Sequence, residues 1–279
     1  MDPSEVTVSP LKDLTIDNIT EDVKLINAQC PNPRLKYILE RIVQHLHDFA
    51  RETRLSTDVR QEFILLSDVL GLSLLVDSID HPKPPSSTEG TVLGPFHSHE
   101  AEIASNGSVI AHDPDGESCL VRCTVKDTDG KAISGVKIDV WENDSKGFYD
   151  VQYPGRDGPD QRAVMTSDKH GVFCHIHFMF EKEGFDRLIT ALYLRNDPYE
   201  TSDAVFGVKD SLMVDLDIVD AASAQKYEVR EGTKMVSYDF VLVSDQEAKA
   251  LREHNAMQAM RKLGRSMKLW HGLPVPDVD

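Results

Sequence analysis

The chain has 279 residues and carries 30 Lys and Arg against 47 Asp and Glu, a formal charge of −17. So acidic a chain has no basic field for phosphate contacts, which argues against nucleic acid or an anionic membrane surface as partner. Hydrophobic content of 40% with 28% charged residues fits a globular protein long enough for one large domain or two ordinary ones.

Residues 1–18 read as an irregular arm. Met1-Asp2-Pro3-Ser4-Glu5-Val6 has no basic stretch leading into an apolar run, and no apolar run approaches membrane-spanning length. Cys30, Cys119, Cys123 and Cys174 are scattered without a CxxC pair. The expectation is a cytoplasmic protein with reduced thiols, Cys119 and Cys123 being packed on one strand face.

From Asn32-Pro33 onward Leu35, Ile38, Leu39, Ile42, Val43, Leu46 and Phe49 recur at helical spacing. His45 and His47 lie two apart in this helix, do not share a face, and read as surface residues rather than ligands. A second helix is expected from about Thr57 through Ile79. Its apolar coverage is so broad that a second subunit is the simplest cover for it.

His81-Pro82-Lys83-Pro84-Pro85 closes the helical part. Strands are expected at 120–126, 136–142, 162–166, 172–180, 189–194, 212–218 and 235–243, with turns such as Asp127-Thr128-Asp129-Gly130 between them. Short strands at this spacing predict a sandwich rather than βαβ units. Ser244-Asp245-Gln246-Glu247 has the pattern of a capping box opening a helix to about Leu263, followed by a tail whose Trp270 is expected to dock at a place the sequence does not specify. The organisation is therefore a helical region over 1–85, a β-sandwich over 86–243, and a helix with tail over 244–279.

The chemistry concentrates in Gly171-Val172-Phe173-Cys174-His175-Ile176-His177-Phe178-Met179-Phe180. On a strand His175 and His177 project together, with Cys174, Ile176, Phe178 and Phe180 on the reverse face. Such a pair is either a bidentate grip for a borderline metal or two hydrogen-bonded histidines of the core or rim. Tyr149, at a strand exit in Gly147-Phe148-Tyr149-Asp150, reads as a packed aromatic or as a phenolate ligand suited to ferric iron; Tyr153 is an alternative donor. His97-Ser98-His99-Glu100 has metal-binding residue types, but in a Gly/Pro-rich loop it reads as a solvent-exposed turn, and His170 likewise. No GxSxG, P-loop or GxGxxG pattern occurs, so serine-hydrolase and nucleotide readings have no support.

Taken together, Gln61-Glu62-Phe63-Ile64-Leu65-Leu66-Ser67-Asp68, Gly71-Leu72-Ser73-Leu74-Leu75-Val76-Asp77 and Thr91-Val92-Leu93-Gly94-Pro95-Phe96-His97 resemble the intradiol ring-cleavage dioxygenases, closest to the hydroxyquinol and catechol 1,2-dioxygenase branch. Asp139-Val140-Trp141-Glu142, Gly147-Phe148-Tyr149-Asp150, His175-Ile176-His177-Phe178 and Val205-Phe206-Gly207-Val208-Lys209-Asp210 continue the resemblance, which runs from about residue 18 to 243.

The resemblance implies a mainly-β fold with helices, a β-sandwich catalytic-type domain preceded by an N-terminal helical dimerisation region. It implies non-haem Fe(III) held by Tyr149, His175 and His177, with Leu74, Asp77, Val92, Leu93, Gly94, Pro95 and Phe96 walling a pocket for a small aromatic diol that reacts with O2. Ring opening between the two hydroxyl-bearing carbons would give a muconate or, from hydroxyquinol, maleylacetate.

The chain also departs from the family. Between the Gly-x-Phe turn and the HxH strand the family carries a second tyrosine ligand and a substrate-supporting arginine; here Phe173 runs through Cys174 straight into His175. A second gap falls near Leu55-Ser56-Thr57-Asp58. Impaired activity is therefore expected; Tyr153 or Tyr199 could stand in for the missing tyrosine, though nothing in the spacing favours that. Two rival readings are a non-catalytic β-sandwich binding module and a zinc enzyme using the two histidines and a carboxylate.

Overall fold

The computed structural model describes residues 15–53, 62–168, 172–173, 177–197, 200–262, 267–270 and 273–277. The chain divides into two compact units, one ending at residue 57 and the other beginning at residue 58. The first contains α1 (Ile19–Asn27) and α2 (Pro33–Thr53). Asn32 opens α2, its side-chain Oδ1 accepting the Leu35 N–H at 3.0 Å. Thr20 Oγ1 and His47 Nδ1 stand 2.9 Å apart between the two helices. His47 thus ties the helix pair together, and Leu35, Ile38, Ile42 and Leu46 remain exposed.

In the second unit the single helix expected over 57–79 is two, α3 (Glu62–Val69) and α4 (Leu72–Asp80). Gly71 causes the break: it adopts φ +70°, a left-handed conformation that suits glycine at a helix end. A Cβ here would meet only the Phe206 ring at ordinary contact distance, 3.7 Å. Gly71→Ala is therefore expected to cost the backbone term alone, about 1 kcal/mol, measurable by urea denaturation. Val69, Leu70, Leu72, Leu75, Val76 and Ile79 are exposed in the single chain.

The strands form two sheets packed face to face. One has five strands in the order β1 (Glu102–Ile103), β4 (Arg162–Thr166), β3 (Lys137–Trp141), β6 (His177–Glu181) and β7 (Leu188–Ala191). The other has four, β10 (Asp217–Ile218), β11 (Lys234–Leu242), β2 (Cys119–Asp127) and β5 (Val172–Phe173). Ile138 and Val140 of β3 and Phe178 and Phe180 of β6 meet Val121, Cys123 and Val125 of β2 and Phe240 of β11 in one core. Phe178 and Phe180 each stand 4.7 Å from the Phe240 ring centroid. The predicted mainly-β fold with helices is what the chain adopts, and the sheets remain open.

Three local expectations are corrected. The strand expected over 172–180 is β5 and β6, which belong to different sheets. An unbroken hydrophobic run cannot distinguish one strand from two that serve opposite layers of the same core. The runs at 189–194 and 212–218 are likewise divided, β7 and β8 (Tyr193–Leu194) in the first, β9 (Met213–Val214) and β10 in the second, with β8 and β9 pairing in parallel. Of the two β2 cysteines, Cys123 is buried but Cys119 is exposed at the strand's start.

After α5 (Ala221–Tyr227) and β11, the capping box forms as expected. Ser244 Oγ accepts the Glu247 N–H at 3.2 Å, and Glu247 Oε2 accepts the Ser244 N–H at 3.0 Å, opening α6 (Asp245–Lys262). The tail carries a hairpin of β12 (Met267–Trp270) and β13 (Leu273–Pro276). No helix among the described residues is long and apolar enough to cross a membrane.

Candidate active site

The site lies on the outer face of the five-stranded sheet. Alternation sends Ile138, Val140, Phe178 and Phe180 into the core, so Asp139, Trp141, His177 and Met179 face the other way. Trp141 is directly opposite His177 across the β3–β6 ladder, and their rings stack with centroids 5.5 Å apart. The segment after Pro95 covers this face. His97 stands edge-on to Trp141 at 4.8 Å and pairs with the Asp139 carboxylate at 3.1 Å. The His97 side chain is only 6% exposed, so its turn is part of a buried wall rather than the solvent-exposed loop expected.

Tyr149 reaches the wall from the loop that leaves β3. The turn is built by Asp144, whose carboxylate accepts the Lys146 and Phe148 N–H groups, both at 2.9 Å. Gly147 takes φ +82° to close it. The phenol oxygen then lies 2.9 Å from His177 Nε2, with the Phe96 ring stacked on Tyr149 at 4.7 Å. Burial pushes the Tyr149 hydroxyl up to about 12, against the opposing charge of Arg162, so the phenol keeps its proton. Burial pushes His177 down to about 4, against the opposing charge of Asp203, leaving the imidazole neutral. With Tyr149 as donor, Nε2 is the acceptor and Nδ1 carries the hydrogen; Nδ1 is buried with no hydrogen-bond partner.

A phenol and a neutral imidazole converging in this way fit a metal. Two donors about 3 Å apart match adjacent ligands of one ion with bonds of about 2.0–2.1 Å, and a neutral imidazole has no proton to lose before it ligates. Among the described residues no group of three or more His, Cys, Asp or Glu is placed to hold a metal. His175, Tyr199 and His170 lie outside the described residues. Tyr153 is half exposed and its hydroxyl is donated to Asp144, so it does not replace Tyr149.

The expected pocket walls separate into three groups. Phe96 packs on Tyr149. Asp77, Val92 and Leu93 line a cavity of about 340 Å³ against α3 and α4. Leu74, Gly94 and Pro95 do not line that cavity.

Sequence reasoning missed the support beneath Tyr149. Asp150, the next residue, is buried between two arginines: Arg162 Nε donates to Oδ2 at 2.9 Å and Arg156 Nη1 to the same oxygen at 2.9 Å. Arg162 Nη2 also donates to the Phe96 carbonyl at 3.2 Å, so one guanidinium fixes both rings of the Tyr149–Phe96 stack. A cue was the lone charged residue heading the apolar run Ala163-Val164-Met165.

The chain's similarities agree with this architecture. The family described as "Catechol dioxygenase N terminus" matches residues 32–58 and 55–88, and that described as "Dioxygenase" matches 92–174 and 153–244. The chain belongs to the intradiol ring-cleavage dioxygenases, a family of enzymes. It is 58% identical to the intradiol ring-cleavage dioxygenase hqdA of Aspergillus niger, with all of both chains covered, in an alignment of 329 residues against the 279 here. It is 35% identical to the 6-chlorohydroxyquinol 1,2-dioxygenase of Cupriavidus pinatubonensis over 81% of this chain and 96% of that one. The solved structure of hydroxyquinol 1,2-dioxygenase from Pseudomonas putida DLL-E4 superposes with a TM-score of 0.63 at 31% identity, covering 82% of this chain and 99% of that chain.

Proposed function

We propose that this chain cleaves catechol or hydroxyquinol between its two adjacent hydroxyl-bearing carbons with O2, at a non-haem ferric iron held by Tyr149, His175 and His177. The observation that carries the reading is the 2.9 Å approach of the Tyr149 phenol to a half-buried, neutral His177. A bound ferric ion supplies chelation of both diol oxygens and the electronic coupling that makes the ring reactive toward dioxygen. The chain's own residues do the rest. Tyr149 holds a proton at Oη in the buried wall and would be the phenolate donor to the ion. Phe96, Trp141 and His97 keep water from the His177 side of the site. Asp77, Val92 and Leu93 offer one acidic and two apolar walls to a hydroxylated ring. The relatives' names support a catechol or hydroxyquinol ring as substrate.

We also propose that this chain lacks an internal segment near Cys174–His175 and a shorter one near 55–58, and that its turnover is reduced accordingly. Three observations support this. Both families match in two pieces, which overlap over residues 55–58 in the first and 153–174 in the second. About fifty positions of the 329-residue alignment face no residue of this chain. The buried His177 Nδ1 and Gln161 Oε1 are without hydrogen-bond partners, an uncommon state that a missing neighbour explains. The exposed apolar residues of α2, α3 and α4 support a homodimer formed through the helices.

The test is to load the protein with iron, measure metal content and visible tyrosinate absorption, and follow O2 uptake with both substrates. About one iron per chain, a tyrosinate band and slow uptake are expected. Inserting the A. niger relative's intervening segment between Cys174 and His175 should raise turnover by roughly 10²–10⁴, the usual worth of acid–base assistance. Stoichiometric zinc without colour would favour the zinc enzyme; no bound metal would favour the binding module.

A further inference from the structure

Asp139 sits at the middle of the five-stranded sheet's outer face, on β3 opposite Val164 of β4 and Met179 of β6, and is 4% exposed. Its polar partner is His97, whose Nε2 stands 3.1 Å from Asp139 Oδ2 and whose side chain is 6% exposed. Lys137, two residues back on the same face, holds Glu181 instead, at 2.9 Å. A buried pair of this kind adds little stability over apolar side chains of equal volume, so stability alone does not account for it. Its position does. The His97 ring meets the Trp141 indole edge-on, at 4.8 Å and 73°. The indole in turn lies nearly parallel to the His177 imidazole, at 5.5 Å and 18°. Trp141 is 2% exposed, so close packing leaves it little room to turn. A ligating imidazole is ordinarily aimed by the hydrogen bond that its other ring nitrogen makes. His177 Nδ1 makes none among the described residues, so its orientation falls to the ring stacked on it.

We propose that His97 and Asp139 are positioning residues for His177: the carboxylate fixes the His97 ring, that ring fixes the Trp141 indole, and the indole holds the imidazole with Nε2 toward Tyr149. The terminal torsion of a histidine is broad, so the His97 ring would rock against the indole without Asp139 to hold its Nε2. The inference rests on the ligand role proposed for His177 and concerns what aims that ligand. A pair serving the interior alone would leave the imidazole indifferent to the side chain at position 97.

The full chain is compared in two states. Without metal, nitrogen NMR of the imidazoles reports the tautomer and surroundings of His177, whose signals are assigned by their loss in His177→Asn. With iron, competition against a chelator reports retention, and visible absorption reports the tyrosinate band. His97→Gln removes the ring yet leaves an amide that can donate to Asp139. It should replace the single Nδ1–H tautomer of His177 by a mixture and weaken iron binding roughly 10–100-fold, the usual worth of an outer partner of a ligating histidine. Asp139→Asn keeps the ring and an oxygen to accept from it, and should match the native protein in both states. His97→Leu combined with Asp139→Leu should reproduce the His97→Gln result. Removing both polar groups together can be close to neutral for stability, so the double variant serves where His97→Gln does not fold. A native-like His177 spectrum in either folded variant would overturn the assignment. The metal-free comparison decides this even in a native chain that holds no iron, a result that would count against the ligand reading alone.

Discussion

Asp150→Ala should destabilise the chain by about 3–5 kcal/mol, the usual cost of leaving a buried charge without its partner. Arg162 is the charge left behind. Its side chain is 1% exposed and that of Asp150 5%, and the pair makes several charge-assisted hydrogen bonds. A loss this large is a substantial share of a typical domain's stability, so equilibrium denaturation should show a strongly lowered midpoint. Burial alone would push the Asp150 carboxyl up, but hydrogen bonds and charge from Arg162 outweigh it and hold the group below its ordinary value. The contribution is therefore fully present above an unfolded carboxyl value of about 3.9. It is lost as the pH falls through the lower folded value. Acid unfolding should accordingly begin at higher pH in the variant. An unchanged midpoint would mean that Arg162 finds another partner.

Tyr149→Phe, the second large effect, should abolish the visible tyrosinate absorption of the iron-loaded protein. The phenol ring packs on Phe96 and, among the described residues, its oxygen hydrogen-bonds with His177, so removing one oxygen should leave the fold intact. Far-UV circular dichroism should be unchanged while the band disappears and iron retention falls. A band that persists would exclude Tyr149 as a ligand.

What sequence reasoning could recover follows from periodicity. The β3 and β6 pattern identifies core and opposite face residue by residue, because alternation on a strand is geometric. The capping box at Ser244 was legible because its donors and acceptors are three residues apart. The Gly71 break was not, since an isolated glycine in an apolar helical pattern is often tolerated. Nor was the division between β5 and β6, because apolar residues run on both sides of it and nothing in the sequence marks a change of sheet. Tyr149 and His177 could be named as ligand candidates, but nothing in the spacing brings residues 28 positions apart to 2.9 Å. The Arg162–Asp150 pair and the burial of His97 were hidden for the same reason: each depends on contacts between segments remote in sequence.

The two-faced use of β3 and β6 has a consequence for how this molecule can change. Trp141 and His177 alternate with Val140 and Phe178 on the same short strands, so the face that carries the proposed metal site and the residues excluding water from the interior share a backbone. Trimming Phe178 or Val140 would shift the imidazole by way of the peptide units between them, without any contact with a reactant. Adaptation toward a new ring is therefore freest in the helical and loop walls, such as Asp77 and Leu93, where a side chain can be exchanged without disturbing the interior.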